Sequence, residues 1–293
     1  MPTKNNHGLI SELARVSIPD VLFHYTTSAG MVGILETGNI WTTKIQYTND
    51  HTELRLALNY IRNEIDFQRQ GIGKTRTDEE LEGMCRALDG VQTVNVGVAS
   101  FTEIGDQLGQ WRGYCEIGDG YSLGFDAAKL QDKLRKRYSY HLFPCIYEVE
   151  QHKRLAKELI DHYPTKHLLD IAKRARHASR GDPYDFEIAF SSAIVFFAPL
   201  IKTENFKEEK EWRLISPILS YAEAHFRRGN HSLIPYWEFD LDLENTLKQI
   251  VVGPTPEPAL SSLAVRGLLL KKSLLGFSQE VEISPSKIPI REI

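Results

Sequence analysis

Glu209, Glu211 and Arg213 stand at alternate positions in the segment NFKEEKEWRLIS (205–216). In an extended chain successive side chains point to opposite faces, so these three share one side while Lys210, Trp212 and Leu214 share the other. Two carboxylates and a guanidinium in a row could do chemistry. An ionised carboxylate stabilises positive charge at a breaking bond, and a second one can orient or deprotonate an attacking group. The guanidinium can keep carboxylates ionised or grip a phosphate. The plain alternative is a structural ion pair on a solvated edge strand, the usual fate of a charge run.

Two further groups invite the same question. In FHYTT (23–27), alternation puts His24 and Thr26 on one face of a strand and Tyr25 on the other. In QWRGY (110–114), Trp111 and Tyr114 are three residues apart and share a helical face, where flat rings suit stacking on a flat cationic ring. Core packing explains the same aromatics equally well. Asn49, Asp50 and Glu53 in TNDHTEL could line a pocket, although Asp50 reads better as a helix cap.

These residues need elements to position them. A short helix (HGLISELARV) precedes a strand at 20–27. A helix capped by Ser28 and stopped at Gly38 follows, then a strand at 40–43. A long helix from residue 51 carries Leu54, Leu58, Ile61 and Ile65 on one face, and another helix spans 77–88. Strands are expected at 93–103, from 120, over HLFPCIYEVE, over EKEWRLIS from residue 209, and over LKQIVVGP; short helices are expected at 106–116 and over PALSSLAVRGLLLKK. The reading is α+β: one domain with its core at about 20–150 and 200–293 and a helical insertion at about 151–200. A basic stretch runs through that insertion, with Lys153, Arg154, Lys157, Lys166, Lys173, Arg174, Arg176 and Arg180, and His141, His152, His162, His167 and His177 lie in or beside it. It reads as a solvated face, or else as a docking surface for a nucleic acid or an acidic partner.

Composition narrows the classes. A net charge of -4 argues against a protein that coats nucleic acid by charge alone. Three scattered cysteines without a C-x-x-C pair fit free thiols in a reducing cytoplasm, and neither a disulfide scaffold nor a zinc site. The start of the chain has no apolar signal core, and no apolar run is long enough for a membrane helix. No H-E-x-x-H, G-x-S-x-G or dinucleotide fingerprint occurs, and GIGK lacks phosphate-loop spacing.

The strand–helix–strand opening with His24 beside Thr26 resembles the start of ADP-ribosyltransferases. The resemblance implies an ADP-ribosyltransferase-like split mixed or antiparallel sheet and NAD as substrate. His24 and Thr26 would hold the nicotinamide ribose, and Tyr114, with Trp111, would stack on nicotinamide. Glu211 or Glu209 would be the catalytic carboxylate, the Glu-x-Glu spacing matching arginine-modifying members, and Arg213 would support it or bind pyrophosphate. Tyr25, Ser100 and Tyr121 would complete the cofactor pocket.

The motifs SFTE, QWRGY then GYSLGFD, F-x-x-E-x-E-W-R-L (206–214), IVVGP and ISPSKIPIRE also resemble the bacterial proteins labelled domain of unknown function two-nine-seven-one, from about residue 20 onward apart from 151–195. That resemblance implies a place among phage-defence and toxin-like effectors. An enzyme would modify a macromolecular acceptor, protein or nucleic acid. The alternatives are an NAD hydrolase, a non-catalytic module that senses NAD, ADP-ribose or a phage product, and a metal-dependent nuclease built on the paired carboxylates.

Overall fold

The computed structural model describes residues 8–13, 15–48, 51–115, 118–137, 140–162, 183–229, 231–275 and 280–289. The β-branched and aromatic run Val21–Thr26 forms β1. Helix α2 (Ser28–Thr37) follows after α1 (Leu9–Leu13) and β1. Its cap is Thr27 rather than Ser28: the Thr27 hydroxyl accepts from the Gly30 amide, and Ser28 is already helical. Gly38 ends the helix at φ 75°, the left-handed region that a side chain resists. Strand β2 (Asn39–Lys44) then leads into α3 (His51–Arg69) and α4 (Asp78–Gly90), the latter opened by a capping box between Thr77 and Glu80. Asn49 and Asp50 lie outside the described residues.

The remaining elements are β3 (Gly97–Thr102), α5 (Leu108–Tyr114), β4 (Tyr121–Asp126), α6 (Ala127–Arg137), β5 (His141–Pro144), α7 (Val149–His162), α8 (Pro183–Phe197), β6 (Glu211–Ile215), β7 (His225–Arg228), β8 (Leu233–Asp240), α9 (Leu243–Thr246), β9 (Leu247–Val252), α10 (Pro258–Lys271) and β10 (Glu282–Pro285). The fold is α+β around one mixed open sheet in the order β10-β9-β4-β1-β3-β2-β8-β7, with β6 added to β3 and β5 to β6. Among the described strand pairs only β9–β10 is parallel, and an isolated parallel bridge joins Ile146 to Ile201.

Several expectations change. The strand predicted from residue 209 begins at Glu211, because residues 204–209 form a 3-10 turn and Lys210 takes φ 43°. The segment is no edge either, since β6 pairs with β3 on one side and β5 on the other and all five of its residues are buried. The strand expected over 141–150 stops at Pro144, and the one expected over 93–103 starts at Gly97 after a 3-10 turn. HFRR (225–228) pairs with β8 as a strand.

Two apolar layers flank the sheet. One joins α3, α4, α7 and α8 through Ile61, Ile65, Leu81, Met84, Leu159 and Phe190. The expected insertion is therefore helical where described, and its helices share a core with α3 and α4. Of the basic stretch, Lys153, Arg154 and Lys157 pair with Glu150, Glu12 and Asp161, while the part from Lys166 to Arg180 lies outside the described residues. The other layer packs α2, α6 and α10 on β1, β4, β6 and β9 through Leu35, Leu130, Leu269, Leu22, Phe125 and Trp212.

Candidate active site around Glu211

Strand β3 carries three partners. β6 runs along Val98–Thr102. The other side is divided between β2, which pairs at Gly97 and Val98, and β1, which meets β3 only at Thr102. The sheet thus splits at residues 99–101. There the imidazole Nδ1 of His24 lies 2.9 Å from the Ser100 carbonyl, doing what a ladder amide would do in an unsplit sheet.

A shallow, open cleft lies at this split, with about 280 Å³ of empty space when the solvent at its mouth is counted. Its β-sheet walls are Phe23, His24, Tyr25, Ser100, Phe101 and Thr102. Gln110 and Tyr114 enter from α5, and Glu209 and Glu211 from the start of β6. The pairings Phe23↔Thr102 and Thr102↔Glu211 put Phe23, Tyr25, Ser100 and Glu211 on one face. By alternation His24 belongs to the other face. Its ring centroid is 5.8 Å from that of Phe101, and it lines the cleft from the seam. Burial lowers the His24 pKa below its ordinary value, against the opposing pull of the Ser100 carbonyl, so the ring is neutral at neutral pH.

Glu211 is the centre of a buried ionic cluster. Arg213 Nε lies 2.8 Å from Glu211 Oε1, and its Nη2 lies 3.0 Å from Oε2. Lys202 Nζ is 2.5 Å from Glu211 Oε2 and 2.6 Å from Glu209 Oε2. Arg213 also reaches Glu53 Oε2 at 2.6 Å and donates to the Pro199 carbonyl at 2.6 Å. Three carboxylates thus surround two cations. Burial works to raise the Glu211 pKa, but Arg213 and then Lys202 outweigh it and hold the group at about 2. Lys202 and Arg213 are pushed up by the same neighbours, although burial opposes both charges. Glu53 goes the other way. Burial is the largest influence and raises its pKa, Arg213 and more weakly Lys202 pull it down, and the neighbouring Glu211 carboxylate adds to the rise. One guanidinium serves two carboxylates, and Glu211 receives the larger share.

The backbone at Glu211 is fixed as firmly. Its amide donates to the Tyr147 hydroxyl at 2.8 Å, and its carbonyl accepts from the Cys145 amide at 2.8 Å. Thr102 donates to the Glu209 carbonyl at 2.6 Å, holding the 3-10 turn against β3. The Tyr114 hydroxyl has its pKa raised to about 12 by burial first and by Glu211 second, so it remains a neutral phenol.

Of the residues read from sequence, His24, Tyr25, Ser100, Tyr114, Glu209 and Glu211 meet at the cleft. Four do not line it. Trp111 is buried against Tyr25 at 4.5 Å between centroids and donates to Asp106 at 2.8 Å. Thr26 turns toward α2, where a Cβ on Gly30 would stand 1.9 Å from its Oγ1. Tyr121 pairs with Val252 on β9. Arg213 spends its guanidinium on Glu211, Glu53 and Pro199, which leaves it facing carboxylates and a carbonyl rather than a pyrophosphate. Lys202, Gln110, Thr102 and Tyr147 join the site without having been singled out from sequence. Lys202 sits alone in PLIKTEN, nine residues before Glu211, with no local pattern to mark it. Among the described residues no group of three or more His, Cys, Asp or Glu side chains is disposed to hold a metal, and no helix is long and apolar enough to cross a membrane.

Comparison with curated proteins and with solved structures gives no match. Residues 110–214 do match the family model described as "Protein of unknown function (DUF2971)". The matched segment, about a third of the chain, runs from Gln110 and Tyr114 to Lys202, Glu209, Glu211 and Arg213 and so holds much of the cleft, which supports the family resemblance carried by QWRGY and F-x-x-E-x-E-W-R-L.

Proposed function

We propose that this cleft breaks the nicotinamide–ribose bond of NAD and transfers ADP-ribose to a macromolecular acceptor. The observation that carries the reading is the convergence of His24, Tyr114 and an ionised Glu211, from β1, α5 and β6, on one split in the sheet. The likeness to the ADP-ribosyltransferase fold is part of this proposal. It rests on the split and on the same succession of a strand histidine, a helix tyrosine and a carboxylate on a later strand.

The chemistry follows from charge. As the C1′–N bond breaks, its electron pair moves to the ring nitrogen and neutralises the pyridinium, while the ribose becomes oxocarbenium-like. A fixed carboxylate stabilises that centre without having to reorganise. An ionised carboxylate offers about four acceptor positions. Arg213 and Lys202 fill three on Glu211, leaving one on Oε1 for a ribose hydroxyl. Glu209 at the mouth takes the proton from the acceptor as the new C1′ bond forms. Tyr114, a neutral ring, stacks on nicotinamide. The nicotinamide and ribose would enter this open cleft, with the rest of the dinucleotide lying outside it.

A second reading has its own support. Two cations already neutralise Glu211, which favours a pocket that binds NAD or ADP-ribose without turnover. The experiment that separates the two is release of nicotinamide by purified protein in a cell lysate, with mass spectrometry of the products. Turnover with ADP-ribose on a macromolecule, lost by orders of magnitude in a folded Glu211→Gln variant, is the expected result. Free ADP-ribose alone makes the protein a hydrolase. A rise in melting temperature with NAD and no turnover makes it a sensor, and no turnover with no shift ends both readings.

A further inference from the structure

The structure points to a homodimer formed by α10, and we propose that two copies of the chain pair there in antiparallel fashion about a two-fold axis near Val265. Val265 and Leu269 bury the inner side of this helix in the core. Its outer side is also apolar. Leu260 and Leu263 are each 65% exposed and Leu270 is 59% exposed, with Gly267 exposed among them. At 100° per residue, positions 260, 263, 267 and 270 form one narrow stripe, with the 3-4-3 spacing of a two-helix seam. A lone exposed leucine needs no explanation, but three in register on one helix do.

The stripe is complementary to itself. Its spacing is symmetric about Val265, so an antiparallel second copy sets Leu260 against Leu270 and Leu263 against Gly267. The second pairing is large against small. Gly267 is exposed and a Cβ built on it meets nothing within 4 Å, so open space faces the incoming leucine. Charge agrees with the direction. Glu257 before the N-terminus and Lys271 at the C-terminus lie on one flank of the stripe, and the antiparallel arrangement brings each Glu257 toward Lys271 of the other copy. A parallel pair would stack like charges and set Gly267 against Gly267. Lys271 reaches Glu36 of α2 at 3.1 Å within its own chain, so that contact is the one exchanged or shared on pairing. The seam is one short helix on each side, which puts it at the low end of stable interfaces.

Sedimentation equilibrium of the full chain at tens of micromolar is the test. The wild type is expected to be a dimer. Leu263→Glu is expected to be a monomer of unchanged melting temperature, because residue 263 is exposed in the single chain. Glu257→Lys is expected to weaken the dimer several-fold, and adding Lys271→Glu to restore it. A monomeric wild type overturns the proposal, as does a dimer that survives Leu263→Glu. Unchanged affinity in Glu257→Lys overturns the antiparallel register.

Discussion

Strands β6 and β7 are both short, charged and arginine-bearing, yet they lie at opposite extremes of burial within the same sheet. In EWRLI every residue is buried, and Glu211 and Arg213 are among the least exposed charges of the described chain. In HFRR every residue is exposed, the arginines included. β6 has a neighbour on each side, while β7 pairs only with β8 among the described strands. What separates them is the surroundings rather than the charges. A buried guanidinium must find carboxylates and carbonyls at hydrogen-bond distance, and Arg213 does. An edge strand uses its cations to stay soluble and to repel other edges, and Arg228 fits that role.

The comparison can be broken by removing one charge at a time. Arg213→Ala leaves Glu211 and Glu53 buried together with Lys202 as their one remaining cation in the cluster, and is expected to destabilise by about 3–5 kcal/mol, with a matching fall in the denaturation midpoint. Arg228→Ala is expected to change stability by no more than ~0.5 kcal/mol. Equal effects on the two would erase the distinction.

Acid titration sharpens it. The Glu211 pKa is depressed to about 2 from an ordinary value of 4.5. Its contribution is therefore complete above the unfolded value and is lost as pH falls through the folded one, amounting to roughly 3 kcal/mol. Glu211→Gln should flatten the stability profile between those two values. His24, whose pKa is lowered, adds a loss as pH falls from its ordinary 6.5.

Within the cluster the two carboxylates have opposite signs. Glu53 has a raised pKa, so its contribution is present below the unfolded value and fades as pH rises through the folded one. Glu53→Gln is expected to cost only about 1 kcal/mol near neutral pH, less than Glu211→Gln, and to remove that decline. Chemical denaturation of both variants across pH checks the order. The smallest effect belongs to the solvated periphery. Lys207 pairs with Glu148 at the exposed surface, and Lys207→Ala is expected to shift stability by well under about 1 kcal/mol and to matter less as salt rises.

Local pattern made several elements readable. The apolar stripe of α3, the Gly38 stop and the strand VLFHYT all follow from short-range preferences. Where those preferences are nearly degenerate, the reading slipped. Thr27 and Ser28 both make good caps, and only the backbone angles of the turn chose Thr27. Alternation from Glu209 to Arg213 assumed one continuous strand, whereas Lys210 at φ 43° breaks it and the two carboxylates meet by converging on Lys202 instead. Alternation in β1 correctly separated His24 from Tyr25. The face that carries the carboxylates, however, proved to be that of Tyr25, with His24 reaching the cleft through the split.

The sequence by itself determined the class of the fold, the positions of most strands and helices, and the residues with reactive types. Those depend on neighbours a few positions apart, and such neighbours are written in the chain. Tertiary structure alone decided that β3 would divide its edge between β1 and β2, that β6 would be central, and that Lys202 and Glu53 would join a strand 9 and 158 residues away. A buried charge acquires its pKa from groups within a few ångströms, whatever their distance along the chain, so neither periodicity nor composition could have fixed the state of Glu211.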